Sequence, residues 1–287
     1  MFKWLNCKVF SRLSKICIFL LILSTATGQK FTSSQFKWHE LLKGLFYTEI
    51  DAPEKSILND SRIFILKADP LQCRFKLLTA SENKLQNKSA DEWAKDYGVN
   101  VVVNSGMFNM ANHLTSKGYL KHFSHFNNPR LNGKYNVMIG MNPLETSDTS
   151  MVITDMTFRD WKSVKTRYQT LCQGMRMIDA AGVPLIWDKR PGQSCSMVVG
   201  ATDISGTVYF IFTRSPYTHH QMISFLIQLI PDIRTTVYLE GGPEASMYIQ
   251  TGDTIISKYG SYVSKTYATD KNDHFWKIPN VIGITSQ

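Results

Sequence analysis

Glu240 and Glu244 stand four residues apart in the stretch Leu239-Glu240-Gly241-Gly242-Pro243-Glu244-Ala245-Ser246. Paired carboxylates are the usual equipment for breaking a glycosidic bond, one giving a proton and the other attacking or activating water. The run Thr235 to Leu239 is β-branched and apolar, so Glu240 is expected where a buried strand reaches the edge of its sheet. Gly241 and Gly242 allow backbone conformations closed to other residues and leave room for a close-approaching ligand. Pro243 stops ladder pairing and can open a short helix with Glu244 in its first turn. There Glu244 would serve the helix dipole instead of chemistry.

A second strand end matches the first. Val99 to Val103 is a continuous apolar run, and Asn104-Ser105-Gly106 follows it. If the two strands are neighbours in register, Asn104 and Glu240 meet at one sheet edge. Asn104 would then orient a sugar hydroxyl or phosphate oxygen through its amide, and Glu240 would act as acid, base or nucleophile. Backbone N–H groups around Gly106, Gly241 and Gly242 would form an anion-binding nest. The plainer reading is that both ends merely turn the chain, since Asn and Gly are turn residues. Arg190 and Arg214 are candidates for a phosphate clamp, because a guanidinium binds phosphate oxygens bidentately.

Histidine and cysteine offer less. His219 and His220 fall in the first turn of an expected helix, which suits a solvated or core-edge role. His113, His122 and His125 share one long segment but lack metal-ligand spacing. No cofactor is implied, because no zinc, dinucleotide, Walker or G-x-S-x-G signature occurs. Of five cysteines, Cys7 and Cys17 lie in the N-terminal targeting segment. Cys172 and Cys195 flank one apparent hairpin region and are the better disulfide candidates, while Cys73 alternates with apolar residues like a buried thiol.

The elements that must hold these residues are mostly strands. Residues 36–50 suggest a strand or short helix. Arg62 to Ala68 and Cys73 to Thr79 read as a hairpin-like pair joined by Asp69-Pro70-Leu71-Gln72. Ser89 and Glu92 form a capping box for a helix that Gly98 ends. Segment 109–135 reads as a long loop, uncommon unless functional. Strands are expected near 136–141, 151–154, 175–179 and 183–187, and a hairpin at Met197–Ala201 and Thr207–Thr213. Thr218 and Gln221 cap a second helix that Pro231 stops, and Asn280 to Ile284 is the last strand. Hairpins dominate over β-α-β alternation, which argues an α+β fold with a mixed, largely antiparallel sheet and a few packed helices.

From about Val99 to Ile284 the chain resembles the phosphodiester glycosidase family, in particular its bacterial, exopolysaccharide-associated branch. The family's N-G-G-F-F-like turn appears as Asn104-Ser105-Gly106-Met107-Phe108, and its following glycine as Gly118. Its glutamine before a strand matches Gln173, and its basic-to-strand segment runs from Arg190 to Gly206. The capped helix followed by an L-D-G-G-G-S-S-T-like motif spans Thr218 to Ser246, and Trp276 to Gly283 matches the closing segment. Glu240 stands where the family has aspartate, Pro243 where it has a third glycine, and Ser105 where it has the second glycine of N-G-G. The resemblance implies attack at an anomeric carbon with departure of a phosphodiester. Glu240 and Asn104 would be catalytic, and Ser105, Gly106, Gly118, Gln173, Arg190, Arg214, Gly241, Gly242 and Glu244 would bind substrate.

Composition fits an exported domain. Residues 1–28 combine Lys3, Lys8, Arg12 and Lys15 with an apolar Ile16–Leu23 core and the small-x-small site Ala26-Thr27-Gly28, the pattern of a signal peptide. Their removal takes four charges from the formal +9 and leaves +5 on a single domain spanning 29–287. No basic block points to nucleic acid, and no later stretch reaches membrane-spanning length. The expected partner is a carbohydrate or a sugar phosphodiester. Two rivals remain from other classes. One is a non-catalytic envelope protein binding glycan or exopolysaccharide, with Tyr119, Phe123 and Phe126 as stacking residues. The other is a metal-dependent phosphodiesterase cleaving the P–O bond.

Overall fold

Short apolar runs punctuated by Gly, Asn and Pro build strands far more readily than helices. The computed structural model describes residues 36–82, 84, 86–185 and 192–287. The expected signal segment and Arg190 lie outside the described residues. The chain opens with β1 (His39–Leu42), β2 (Leu45–Asp51), β3 (Arg62–Ala68) and β4 (Cys73–Thr79). Helix α1 (Ala90–Tyr97) leads into β5 (Val101–Asn104). Two small hairpins follow, β6 (Phe108–Asn109) with β7 (Asn112–Ser116), and β8 (Leu120–His122) with β9 (His125–Asn128). Next come β10 (Val137–Pro143), β11 (Met151–Asp155), α2 (Trp161–Lys165) and β12 (Tyr168–Ile178). The long hairpin β13 (Ser194–Asp203) and β14 (Val208–Thr218) runs into α3 (His219–Leu229) and β15 (Ile233–Gly241). The chain closes with β16 (Ser246–Thr251), β17 (Thr254–Tyr259) and β18 (Asn280–Ser286).

Two sheets result. The larger runs in the order β1-β2-β3-β14-β13-β15-β12-β10-β11, with β8 and β9 attached at β12. The smaller runs β17-β16-β5-β18-β4. Every pairing between named strands is antiparallel. The described residues are therefore mainly β with three short α-helices, and in place of the expected mixed sheet the two large sheets are antiparallel. Strand alternation sorts the apolar residues onto faces. Leu66, Phe210, Val237 and Leu239 of the large sheet pack against Val101, Val103, Met247 and Ile282 of the small one. Met222, Phe225, Leu226 and Leu229 of α3 cover the other face of the large sheet, over Val199, Ile211 and Tyr238. Trp93 and Ala94 of α1 cover the outer face of the small sheet.

Local signals held where the chemistry was local. Glu92 accepts from the Ser89 backbone N–H at 2.9 Å, and Gly98 ends α1 with φ +60°. Thr218 and Gln221 cap α3 reciprocally, at 3.2 and 3.0 Å. Long-range placement corrected four readings. β3 and β4 have the expected bounds but belong to different sheets, so Asp69–Gln72 is a crossover and not a hairpin turn. Segment 109–135 holds two hairpins in place of a loop, whereas residues 36–50 take the strand alternative, as a hairpin. Near 183–187 the described residues show only a bridge between Pro184 and Ile178. Cys172 and Cys195 are both free thiols on opposite faces of the large sheet, which rules out a disulfide between them.

One buried ion pair staples the β11 end to β12. Asp155 accepts from Arg176 at 2.7 Å, from the Thr157 hydroxyl at 2.7 Å and from the Ala180 N–H at 3.2 Å. Burial pushes its carboxyl up, but the Thr157 and Arg176 hydrogen bonds outweigh that and hold it below the usual range. Asp155→Ala removes the carboxylate that balances the buried Arg176 charge, so urea unfolding should show a loss of about 3–5 kcal/mol.

Candidate active site

Glu240 is placed by an irregularity in β15. Val198 of β13 faces Glu240 while Val199 faces Tyr238, so Leu239 is an extra residue on its strand. Such a bulge re-aims the side chain that follows it, and bulges concentrate beside active sites. Glu240 is 9% exposed. Its Oε1 accepts from the Gly241 N–H at 3.1 Å. Burial first, and then the charge of Glu244, push its carboxyl up to about 8, against smaller opposing effects of the Gly241 N–H and Lys117. Burial likewise raises Glu244, against smaller opposing effects of a backbone N–H and of nearby His113. Glu244 thus disfavours ionisation of Glu240, which holds its proton at neutral pH.

The turn after Glu240 is a single 3-10 turn, Gly242–Glu244. Gly242 enters it at φ +73°, a conformation that favours glycine. Asn104 holds this turn in place. Its Nδ2 donates to the Glu244 carbonyl at 3.0 Å, and its Oδ1 accepts from the Ser246 N–H at 2.7 Å. Asn104 is 2% exposed, at the end of β5 beside β16. So the two strand ends do converge, but from different sheets: β15 lies in the large sheet and β5 in the small one. The Asn104 amide is engaged at both ends by backbone, which makes it a brace for the Glu240–Glu244 turn.

Segment 105–135 comes close to the two carboxyls: Lys117 and Tyr135 lie near Glu240, and His113 near Glu244. Gly106 turns at φ +148° with nothing nearer than the Gln173 carbonyl at 3.8 Å from where a Cβ would sit. Gln173 ties the segment together through one side chain. Its Oε1 accepts from the N–H groups of Tyr119 (3.0 Å) and Asn132 (2.9 Å), and its Nε2 donates to the carbonyls of Asn132 (3.0 Å) and Tyr135 (2.7 Å). Gly118 lies so close that an added Cβ would stand 2.5 Å from the Gln173 carbonyl. Tyr135 contacts the Met107 sulfur at 3.9 Å. Burial, then the Glu240 charge, push its phenol up to about 12.

Solved structures share this architecture. The catalytic domain of zebrafish N-acetylglucosamine-1-phosphodiester alpha-N-acetylglucosaminidase, auto-inhibited by its pro-peptide, aligns with a TM-score of 0.59 at 15% identity over 87% of this chain and 86% of that one. A hypothetical protein from Synechocystis aligns with a TM-score of 0.56 at 11% identity over 88% of this chain and 64% of that one. The chain has their fold. No protein-family model matches its sequence, and no curated protein matches it either.

Within this fold the expected residues divide into two groups. Asn104, Ser105, Gly106, Gly118, Gln173, Glu240, Gly241, Gly242 and Glu244 belong to the two strand ends and the Gln173-tied segment near them. Gly241, however, makes room for protein and not ligand: a Cβ there would collide with the Tyr238 hydroxyl and stand 3.0 Å from the Cys195 sulfur. Arg214 points elsewhere. Its guanidinium binds Asp270 at 3.0 Å and the carbonyls of Tyr259 (3.0 Å) and Asn272 (2.7 Å). His219 packs edge-on to Tyr238 at 4.6 Å, and its burial pushes the imidazole down to about 4. His122 pairs with Glu82 and His125 with Ser81, so the loop histidines brace their hairpins. Sequence reading missed Lys117 and Tyr135, and weighed His113 only as a metal ligand. The signal for them was the unusual length of segment 109–135, within which Lys117 directly precedes Gly118.

Proposed function

We propose that this chain is a hydrolase that releases a sugar from a sugar-1-phosphodiester. The observation that carries the reading is Glu240: buried, raised to about 8 and coupled to Glu244 where the β5 and β15 ends meet. A phosphodiester is an anion, and two ionised carboxylates would repel it. A pair that keeps one proton, with Lys117 near Glu240, removes that repulsion. Glu240 is the more deeply buried carboxyl and keeps its proton, while Glu244 ionises first. In the proposed reaction Glu244 takes a proton from water as the water oxygen bonds to the anomeric carbon. The C–O bond to phosphate breaks, and Glu240 gives its proton to the departing phosphomonoester oxygen. Asn104 acts through the turn as a positioning residue. The substrate class is supported by the fold likeness to the zebrafish enzyme, whose name states a phosphodiester-linked N-acetylglucosamine. The cationic, apolar-cored residues 1–28 support export, and no described helix is long and apolar enough to cross a membrane.

The test is a screen of the purified chain against sugar-1-phosphodiesters in labelled water. C–O cleavage places the label on the sugar; label on phosphate would point to a phosphodiesterase instead. Binding without product on long incubation would leave a glycan-binding protein. The pH profile assigns the proton. With Glu240 as acid, kcat/KM falls as pH rises through about 8, since the proton to be donated is lost there. A rise through the same range would make Glu240 the nucleophile.

A further inference from the structure

Beside α1 and the edge of the small sheet lies a cleft of about 370 Å³. None of the residues at the Glu240 site lines it. Three aromatic rings form its walls: Tyr248, Tyr259 and Phe275. Strand register puts the two tyrosines on one face of the sheet. Tyr248 of β16 pairs with Ser257 of β17, and Tyr259 follows Ser257 by two residues. Phe275 comes from the segment between β17 and β18. Its ring meets Tyr248 at 6.1 Å and 85°, and Tyr259 at 5.5 Å and 81°. Edge-on pairing alone is ordinary aromatic packing. Here the three rings border an open cleft, and the cleft carries charge.

The third wall is fixed in place by Asn272, which is 3% exposed. Its Nδ2 donates to the Gly260 carbonyl at 2.6 Å and the His274 carbonyl at 2.9 Å, and its Oδ1 accepts from the Trp276 indole at 3.1 Å. The segment that carries Phe275 is therefore held before any ligand arrives, which spares an ordering cost on binding.

The charges are one-sided. Asp91 and Asp273 line the cleft, and no described lysine or arginine does. No described lysine or arginine lies within ion-pair distance of either carboxylate; Asp273 has only its neighbour His274, at 2.8 Å. Asp91 lies close enough to Tyr248 that its charge, after burial, raises the phenol. The cations that flank the lining residues are tied to acids outside it: Lys88 to Asp96 at 2.7 Å, Lys277 to Glu92 at 3.9 Å, and Arg214, which packs against Tyr259, to Asp270 at 2.8 Å.

Aromatic faces attract a cation through their ring quadrupole, and unpaired carboxylates add to that attraction. A strongly hydrated metal ion gains little from such walls. A cation wrapped in methyl groups gains from both the rings and the burial of its apolar surface. Walls set at right angles enclose a rounded group better than they stack on a flat sugar ring. The volume falls within the roughly 300–1,000 Å³ of small-ligand sites. We propose that this cleft binds a quaternary ammonium group of the choline class, at a site separate from the Glu240 chemistry.

Calorimetric titration of the full chain with choline chloride tests this. Saturable binding is expected in the wild type and unchanged in Glu240→Gln. Phe275→Leu should weaken it about tenfold. Asp91→Asn, an exposed change that leaves the walls intact, should weaken it about threefold with an unchanged melting profile. The uncharged isostere of choline, with carbon in place of nitrogen, should bind about tenfold more weakly. Phosphatidylcholine vesicles form the second arm. Vesicle binding that free choline competes away supports the proposal and places the ammonium on a lipid headgroup; choline binding without vesicle binding supports it with a free ligand. Absence of binding in both arms overturns the proposal. So does binding that Phe275→Leu and Asp91→Asn leave intact, or that Glu240→Gln removes. Sodium or the uncharged isostere binding as tightly as choline overturns the ammonium assignment, as does D-glucose binding in its place.

Discussion

Glu240→Gln is expected to abolish turnover while making the protein harder to melt at pH 8. The amide keeps the shape of the carboxyl and the bond from Gly241, but it has no proton to donate. Loss of a general acid costs about 10²–10⁴ in rate. The stability gain follows from linkage. In the unfolded chain the Glu240 carboxyl ionises near its ordinary 4.5, whereas in the folded chain it holds its proton to about 8. Between those values the native state binds more protons than the unfolded state, so stability falls as pH rises. Each unit is worth about 1.4 kcal/mol, which places the penalty at pH 8 on the order of 2–5 kcal/mol. Glutamine never ionises and carries none of it. Melting curves should therefore separate by several degrees at pH 8 and converge near pH 4.5. Equal melting at both pH values would mean that Glu240 is not held protonated, and the acid role would fall with it. Stored instability at one residue is what a site tuned for chemistry, and not for folding, looks like.

Asn104→Ala should cost both stability and rate. It removes the donor to the Glu244 carbonyl and the acceptor for the Ser246 N–H in one change. Both backbone groups are then left inside the protein without those partners, at a cost of roughly 2–4 kcal/mol by urea unfolding. The turn that carries Glu244 is released as well. Misplacement of a reacting group by about 1 Å lowers rates on the order of 10²-fold, so kcat should fall by that much in the fraction that remains folded. A stability loss with kcat unchanged would restrict Asn104 to folding. Rescue is informative too. Asn104→Asp keeps the acceptor for Ser246 but loses the donor, and it adds a third carboxyl beside Glu240 and Glu244. It should do worse than alanine in rate and raise the pH at which activity falls.

The bulge at Leu239 sets back the backbone at Glu240 by one residue relative to β13. The walls that meet it come from strands far apart in sequence, β5 and the Gln173-tied segment before β10. Precision here depends on side chains bonded to backbone (Asn104 and Gln173), whose rotamers are locked at both ends of their amides.

The sequence by itself determined whatever depends on neighbours a few residues apart. The capping boxes at Ser89 and Thr218, the bounds of β3 and β4, the start of β18, the turn that opens at Gly242 and the acidic residue shortly before it are all consequences of backbone sterics and local hydrogen bonds. Tertiary structure alone decided which strands pair, because strand pattern marks a face but names no partner. Thus β3 and β4, adjacent in the chain, went to different sheets, and Cys172 and Cys195 went to opposite faces of the same one. It also decided the protonation of Glu240, since burial and the approach of Glu244 are properties of the folded site and not of either residue. Lys117 and Tyr135 gained their places the same way, when two hairpins folded a polar segment of no marked periodicity over the strand ends.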